Sequence, residues 1–193
     1  MTNSDTELVY RPISADSWDD LARLFGAHGA RQGCWCMRWR LPRLQFEQNK
    51  GSCNRRTLQA GVEAGRIRGI LGYIDEVPVA WCSLGLREEF VGLAASEILA
   101  PVDDQPVWTI ACFFIKKPYR LQQVSVDLLR AAVSYVGTQG GSIVEGYPLV
   151  PISEKIPVAF AWTGFESAFK AAGFTEVERR VKIRPIMRYY IQS

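Results

Sequence analysis

The order of apolar and polar residues predicts three strands in the middle of the chain. Arg66 to Ile74 and Val77 to Leu86 are both strand-like, and Asp75-Glu76 between them has the length and chemistry of a tight hairpin turn. Val107 to Ile115 is almost entirely apolar, as a central strand covered on both faces must be. We therefore expect a hairpin followed by the middle strand of a sheet.

Helical patterns precede and follow these strands along the sequence. The clearest one follows the central strand, because its apolar residues fall on one stripe. This stripe consists of Val124, Leu128, Leu129, Ala132, Val133 and Val136. Shorter helices are predicted from Ser14 or Asp16, either of which can be the cap, to Gly26, and from Asn54, as the cap, to Gly65. Thr163 to Glu166 has the form of a capping box, which predicts a helix that ends at Gly173.

The remaining apolar runs predict further strands and complete the order of elements. They are Leu8 to Ile13, Ser142 to Leu149, and one strand from Phe174 to Tyr190. The resulting order is strand, helices, three strands, helix, strand, helix, strand. This order predicts an α/β fold with a mixed, mostly antiparallel central sheet flanked by helices. Because no linker divides the chain, we expect a single domain over 1–193.

Composition and charge exclude several classes of protein. The 193 residues are 48% apolar and 22% charged, a globular balance, and their net charge of +3 is too small to indicate nucleic-acid binding. No apolar run reaches the roughly 18 residues of a membrane span, and Met1 to Asp5 lacks the pattern of a signal peptide. The five cysteines are an odd number at irregular spacing, which favours reduced thiols. We therefore expect a cytoplasmic protein that does not bind membranes.

The segment from Phe113 to Ser125 is the candidate binding site. An apolar strand there leads through a short loop into the start of the strongest helix, where backbone N–H groups and the helix dipole attract anions. Arg120 and the pair Lys116-Lys117 add positive charge. The segment lacks the glycines of a P-loop or a dinucleotide-binding motif, so neither of these is predicted.

These residues resemble a motif of the GNAT superfamily, the acyl-CoA-dependent N-acyltransferases. The family pattern of Arg or Gln, two residues, Gly, one residue, and Gly or Ala corresponds to Arg120, Gln123 and Ser125. The hairpin 73–81, the strand with Val144 to Pro148, and the segment Phe169 to Phe174 are similar to GNAT elements in the same order. The resemblance spans about residues 8 to 190 and implies a GNAT-like domain in which the two central strands splay.

The resemblance also implies acetyl-CoA, or another acyl-CoA, as co-substrate. The residues implied to bind its pyrophosphate through their backbone are Arg120, Leu121, Gln122, Gln123, Val124 and Ser125. The pantetheine arm would pair with the strand edge at Phe113, Phe114 and Ile115. An amine would attack the acyl carbonyl directly, which implies an N-acetyltransferase acting on a small-molecule primary amine. A homodimer is expected at the level of the family.

Two positions depart from the family pattern. Gln123 replaces a glycine that lets the loop approach the phosphates, and Phe169 replaces a tyrosine that serves many members as the acid toward the thiolate. For catalysis we therefore consider Glu145 and Tyr147, which share a strand face at a two-residue spacing. The alternative function is a non-catalytic GNAT-fold protein that binds or senses a ligand through an altered CoA loop.

Two further groups of residues have alternative interpretations. Trp35, Met37 and Trp39 are core residues or the wall of an acceptor site, and the core is favoured. His28 with three cysteines could ligate zinc, but the spacing matches no standard zinc motif, so no metal is predicted. These cysteines are Cys34, Cys36 and Cys53. The acceptor would be selected by variable segments, expected at 26–53 and 87–105.

Overall fold

Across residues 8–120, 123–151 and 162–192, which the computed structural model describes, seven strands form one mixed sheet. The strands pair in the order β1-β2-β3-β4-β5-β7-β6; β4 and β5 pair in parallel and the other neighbours pair antiparallel. The strands are β1 (Val9–Pro12), β2 (Arg68–Ile74), β3 (Val77–Leu86), β4 (Trp108–Ile115), β5 (Ile143–Gly146), β6 (Thr175–Val181) and β7 (Arg184–Tyr190). The predicted mixed, mostly antiparallel sheet is confirmed.

Helices cover both faces of this sheet. They are α1 (Trp18–Phe25), α2 (Arg43–Gln48), α3 (Ser52–Glu63), α4 (Val91–Ala94), α5 (Val124–Thr138) and α6 (Glu166–Ala171). The apolar stripe of α5 buries Leu128 and Ala132 completely in the core on one face. On the other face, Leu21 of α1 and Leu58 of α3 are equally buried. The amphipathic patterns therefore identified both helical layers.

The predicted hairpin between β2 and β3 is confirmed. Asp75 and Glu76 have φ values of 48° and 58°, the left-handed conformation that both central residues of a type I′ turn adopt. This turn matches the right-handed twist of the two strands, so it fixes their register locally.

The prediction of one strand from Phe174 to Tyr190 is wrong, because the segment forms the hairpin β6–β7. The turn contains Lys182 and Ile183, which carry no Gly, Pro or Asn signal. Distant groups hold it instead: Arg179 donates to the Lys182 carbonyl at 2.8 Å, and the Val150 amide donates to the Ile183 carbonyl at 2.9 Å. Tertiary contacts therefore replace the usual turn chemistry.

The predicted capping box at Thr163 and Glu166 is also wrong. Helix α6 begins at Glu166 after Phe165, and Phe165 makes no side-chain capping bond. The Thr163 hydroxyl accepts from Arg184 at 2.5 Å, and the Glu166 carboxylate accepts from Arg179 at 2.6 Å. Two arginines thus hold the groups that a capping box would use.

Asn54 does not cap α3, which begins two residues earlier at Ser52. Gly51 precedes the helix with a φ of 87°. The fully buried Asn54 side chain donates to the Gly33 carbonyl at 3.3 Å and so connects α3 to the loop before α2.

The central strands β4 and β5 pair over three residues each and then separate. The pairing runs from Trp108 with Val144 to Ile110 with Gly146. Ala111 follows as an extra residue in β4, because Ile110 and Cys112 pair with consecutive residues of β3. Beyond this bulge β4 continues to Ile115 without β5 beside it. This separation is the predicted splay, and it creates the site.

Candidate functional site

A cavity of about 840 Å³ lies where β4 and β5 separate. Its walls come from the loop between α1 and α2, from the end of β4, from the start of α5, and from the segment that enters α6. Residues of these walls include Cys36, Arg38, Trp39, Phe46, Cys112, Phe113, Phe114, Ile115, Arg120, Ser125, Trp162 and Phe169. The cavity therefore joins segments distant in sequence around one strand end.

The three β4 residues predicted as a ligand-binding edge all line this cavity. They are Phe113, Phe114 and Ile115. The Phe113 amide donates at 2.6 Å to the carbonyl of Trp162, and the Ile115 carbonyl accepts from Arg120 Nε at 2.8 Å. Part of the edge is therefore already bonded within the protein.

The segment that begins at Trp162 occupies one side of the splay. Beyond the Phe113–Trp162 bond, the Leu149 amide donates to the Gly164 carbonyl at 2.8 Å. The Trp162 ring packs on Trp39, with the ring centroids 5.8 Å apart. Backbone and side-chain contacts thus hold this segment against β4, against the chain that follows β5, and against the loop between α1 and α2.

Helix α5 starts at the cavity with a strained residue. Gln123 precedes the helix with φ 57° and ψ −18°, in the left-handed region, and its side chain makes no capping bond. Ser125 and Arg120 line the cavity, whereas Val124 is buried in the core. The first amides of a helix lack intrahelical acceptors, so this end of the cavity favours an anion. Leu121 and Gln122, also predicted to bind, lie outside the described residues.

The charges on the described part of the cavity wall are all positive. Its ionisable side chains other than thiols are Arg31, Arg38, Lys50, Lys117 and Arg120, and among the described lining residues there is no Asp, Glu or His. The described part of the wall therefore attracts phosphate or carboxylate groups, and it contains no ordinary general base.

The two candidate catalytic residues contact each other away from the cavity lining. The Tyr147 hydroxyl donates to the Glu145 carboxylate at 2.6 Å. Arg188 Nε donates to the other carboxylate oxygen at 2.8 Å, and Arg87 donates to the first at 3.1 Å. Burial, and then the charge of Glu145, raise the pKa of Tyr147 above its usual range. The two side chains are in contact, and a catalytic role stays a prediction.

Phe169 forms part of the apolar wall. Its ring is completely buried and lies edge-on to Phe113 and Phe174, at centroid distances of 6.1 and 4.9 Å. A phenyl ring has no proton to donate, so this wall offers no acid at that position. The groups with a transferable proton on the described wall, apart from the cations, are Ser125, Ser167 and the thiols of Cys34, Cys36 and Cys112.

The three residues for which the sequence left open a place in the core or in the wall of the acceptor site do not all lie in the same place. Trp35 and Met37 are buried in the core, and Trp39 lines the cavity. Sequence reasoning missed Arg38, which lies over the rings of Trp39 and Phe46 at 4.9 and 5.8 Å. An arginine between aromatic residues in an irregular segment was the available signal.

The described residues contain neither a metal-binding cluster nor a membrane-spanning helix. In residues 8–120, 123–151 and 162–192, no three or more His, Cys, Asp or Glu side chains are grouped so that they could hold a metal ion. None of the helices in this part of the chain combines the length and apolar character that a bilayer-spanning segment needs.

Comparison with known proteins identifies the fold through structure and not through sequence. No protein-family model and no curated protein matches this sequence. A GNAT acetyltransferase from Streptococcus agalactiae has a TM-score of 0.57 at 13% identity, covering 96% of each chain. The PaiA N-acetyltransferase of Thermoplasma acidophilum, solved with coenzyme A, has a TM-score of 0.54 at 13% identity, covering 96% of this chain and 99% of that one. YncA of Salmonella typhimurium, solved with acetyl-CoA, has a TM-score of 0.52 at 10% identity, covering 96% and 94%. This chain therefore has the GNAT fold.

Proposed function

We propose that this protein transfers an acyl group from acyl-CoA, with acetyl-CoA the expected donor, to a primary amine of a small molecule. The observation that carries the proposal is the cavity between the ends of β4 and β5, bordered by the start of α5 and by cationic side chains. Solved proteins of the same fold bind coenzyme A or acetyl-CoA, which supports an acyl-CoA at this place.

The phosphates of the co-substrate would lie at the start of α5. Arg120 uses one of its five N–H groups on the Ile115 carbonyl, which orients the guanidinium and leaves the others for phosphate oxygens. Lys117 adds a second positive charge, and the first-turn amides next to Ser125 add hydrogen-bond donors. This end of the cavity therefore supplies both the charge and the donors that a diphosphate requires.

The pantetheine arm would follow the free side of β4. Because the Phe113 amide already donates to the Trp162 carbonyl, pairing of the arm with this amide requires that carbonyl to withdraw. Ile115 lies two residues further along β4 and faces the same side. It therefore continues the free edge of β4 toward the start of α5, where the diphosphate would bind. We infer that entry of acyl-CoA exchanges an internal hydrogen bond for one to the ligand.

Direct attack by the acceptor amine agrees with the groups on the described wall. A carboxylate or imidazole that could deprotonate an ammonium ion is absent from these lining residues, so the acceptor must arrive as the neutral amine or lose its proton to water. With Phe169 unable to donate, the departing thiolate would be protonated by water or by the proton that the amine releases. Binding and orientation of two substrates in one complex would then supply most of the acceleration.

The positive wall also restricts the acceptor. Arg38 is held over Trp39 and Phe46, whereas Lys50, which lies over the Phe46 ring at 5.4 Å, pairs with Glu47. Like charges repel in a partly closed cavity, so polyamines are disfavoured. An amine that also carries a carboxylate or phosphate is favoured over its uncharged analogue.

Isothermal titration of the full chain with acetyl-CoA tests the binding step. We expect Arg120→Ala to weaken binding by roughly tenfold to 100-fold, since a charge-assisted hydrogen bond contributes about 1.5–3 kcal/mol. Arg130→Ala is the matched control, because Arg130 is exposed on α5 and pairs with Asp127 outside the cavity. A thiol-release assay with amine and amino-acid acceptors then tests transfer.

A non-catalytic GNAT-fold binding protein is the second candidate function. Two observations favour it: the strained Gln123 at the phosphate end, and the Trp162 carbonyl on the Phe113 amide. Absence of binding at millimolar acetyl-CoA would favour a protein with another ligand. Binding without thiol release across the acceptor panel would favour a sensor of acyl-CoA.

The variant Tyr147→Phe distinguishes a catalytic from a structural role for the Glu145–Tyr147 pair. We expect the free energy of unfolding to fall by about 1–3 kcal/mol, because the buried Glu145 carboxylate loses a donor, while kcat changes only a few-fold. Tyr10→Phe is the control, since the buried Tyr10 hydroxyl has no hydrogen-bond partner among the described residues. A loss of kcat of roughly 100-fold or more in a folded Tyr147→Phe enzyme would instead support general acid–base catalysis.

A further inference from the structure

Two cysteines from distant parts of the chain meet in the wall of the cavity. Cys36 lies in the loop between α1 and α2, and Cys112 follows the bulge of β4 directly before Phe113. Their sulfur atoms are 3.2 Å apart, both residues are buried, and both line the cavity. Both are free thiols. A disulfide needs about 2.05 Å between sulfurs, so closure requires a shift of about 1 Å.

The packing around Cys36 fixes the position of its sulfur. Trp81 Nε1 donates to Cys36 Sγ at 3.3 Å from the side of β3. Trp35 and Cys36 both have left-handed backbone conformations, with φ of 45° and 53°, and the Trp35 ring packs against Trp18 and Phe25. Tertiary contacts hold this backbone conformation. The short distance between the two sulfur atoms therefore follows from packing and not from the rotation of an unrestrained side chain.

The other thiols near the cavity or on α3 have different partners. Cys34 Sγ donates to the Gly29 carbonyl at 3.7 Å. Cys53 Sγ accepts from Arg56 at 3.1 Å. Among these thiols the geometry therefore selects Cys36 and Cys112 for bond formation.

We propose that Cys36 and Cys112 are a modification site, at which hydrogen peroxide forms a reversible disulfide that restricts the cavity. Peroxide oxidises the thiol of one cysteine to a sulfenic acid and releases one water. The other thiol attacks the sulfenic sulfur, the S–O bond breaks, and a second water leaves. Two thiols and one peroxide thus give one disulfide and two waters. A thiol reductant reverses the bond.

The disulfide would connect the loop before α2 to β4 at the proposed acyl-CoA site. It would draw the two walls together and prevent the loop from moving away from the strand during ligand entry. This consequence rests on the proposed function, whereas formation of the bond does not. We expect the oxidised protein to bind acetyl-CoA about tenfold more weakly than the reduced protein.

Mass spectrometry of the full chain after peroxide treatment tests the site. We expect a loss of roughly 2 Da per chain, restored by dithiothreitol, and a cross-link between tryptic peptides 32–38 and 88–116. Because the first peptide holds both Cys34 and Cys36, fragment ions assign the bond. Cys34→Ser is the matched control and should keep the cross-link, and Cys36→Ser should lose it. The mapping of the unmodified sequence remains decisive if a variant does not fold.

The possible outcomes separate this inference from the proposed function. A cross-link through Cys34, or no mass loss while the thiols oxidise to higher acids, would overturn the proposed site. If the Cys36–Cys112 bond forms and the two redox forms bind acetyl-CoA equally, restriction of the cavity is refuted and the modification site stands. If the bond forms and neither form binds acetyl-CoA, the acyltransferase proposal fails independently.

Discussion

Replacement of Gln123 by glycine should stabilise the protein. Gln123 has a φ of 57° directly before α5, and its exposed side chain makes no capping bond, so the substitution removes no packed contact. A residue with a Cβ in this region is strained by about 1–2 kcal/mol. Glycine relieves the strain but gives the unfolded chain more freedom, which offsets about 0.5–1 kcal/mol. The net gain is about 0.5–1 kcal/mol, or roughly 1–4 °C in Tm for a chain of this size.

Urea unfolding of three variants separates the backbone effect from the side-chain effect. Gln123→Ala removes the side chain beyond Cβ and keeps the strain, so its stability should stay close to that of the parent. Gln139→Gly is the matched control at the other end of α5, where φ is −91° and glycine has no strain to relieve. We expect this control to lose about 0.5–1 kcal/mol.

Titration with acetyl-CoA of the same variants examines the link between this turn and the cavity. If glutamine obstructs the diphosphate, both Gln123→Gly and Gln123→Ala should bind more tightly, by about threefold to tenfold. The structural reasoning would be refuted if Gln123→Gly were no more stable than Gln123→Ala. Equal affinities in all three proteins would show that the side chain already points away from the ligand.

Two further predictions concern packing and charge outside the turn. Gly146→Ala should lose about 1–3 kcal/mol of stability in thermal or urea unfolding, because the added Cβ would come within 2.3 Å of the buried Phe169 ring. Gly137→Ala in α5 is the control and should not be destabilised, because a Cβ there has no atom nearer than 3.8 Å. Hydrogen bonds from Arg188 lower the pKa of Asp103 to about 2. The contribution of this pair to the free energy of unfolding is therefore complete above the unfolded pKa of about 3.9, and it is lost as the pH falls through about 2. Asp103→Asn should therefore reduce stability at pH 6 but not near pH 2 in pH-dependent urea unfolding; a difference that persists unchanged at pH 2 would contradict the assignment.

Local rules predicted the elements whose conformation is decided by neighbouring residues. The hairpin at Asp75-Glu76 needs only a two-residue turn between two apolar runs, and the stripe of α5 follows from helical periodicity. Contacts over long separations limited the rest. The last hairpin turns at Lys182-Ile183 because Arg179 and Val150 bind its carbonyls, and a sequence pattern does not record such partners.

The candidate site was predicted better on its strand and helix than on its loops. Phe113 to Ile115 line the cavity because β4, an element with a strong pattern, places them, and Arg120 follows in the short turn that leads from β4 to α5. Arg38 reaches the same cavity through a loop of left-handed residues, and Cys112 meets Cys36 across 76 positions. Their positions depend on packing between α1, the loop and β3, which no local periodicity encodes.

The fold is recognisable from solved structures, although no family model and no curated protein matches the sequence. The proposed site offers a physical explanation for this contrast. Its proposed binding groups are largely backbone: the edge of β4 after the bulge at Ala111, and the first amides of α5. Backbone groups keep their positions as long as the core keeps its shape, so side chains can change extensively, as the identities of 10–13% with structures of the same fold illustrate. Even the left-handed position directly before α5, which favours glycine, is occupied by Gln123. Side chains of the loop before α2 have no such backbone equivalent, so the choice of acceptor should depend on them, with Arg38 the first residue to exchange when the acceptor is to be changed.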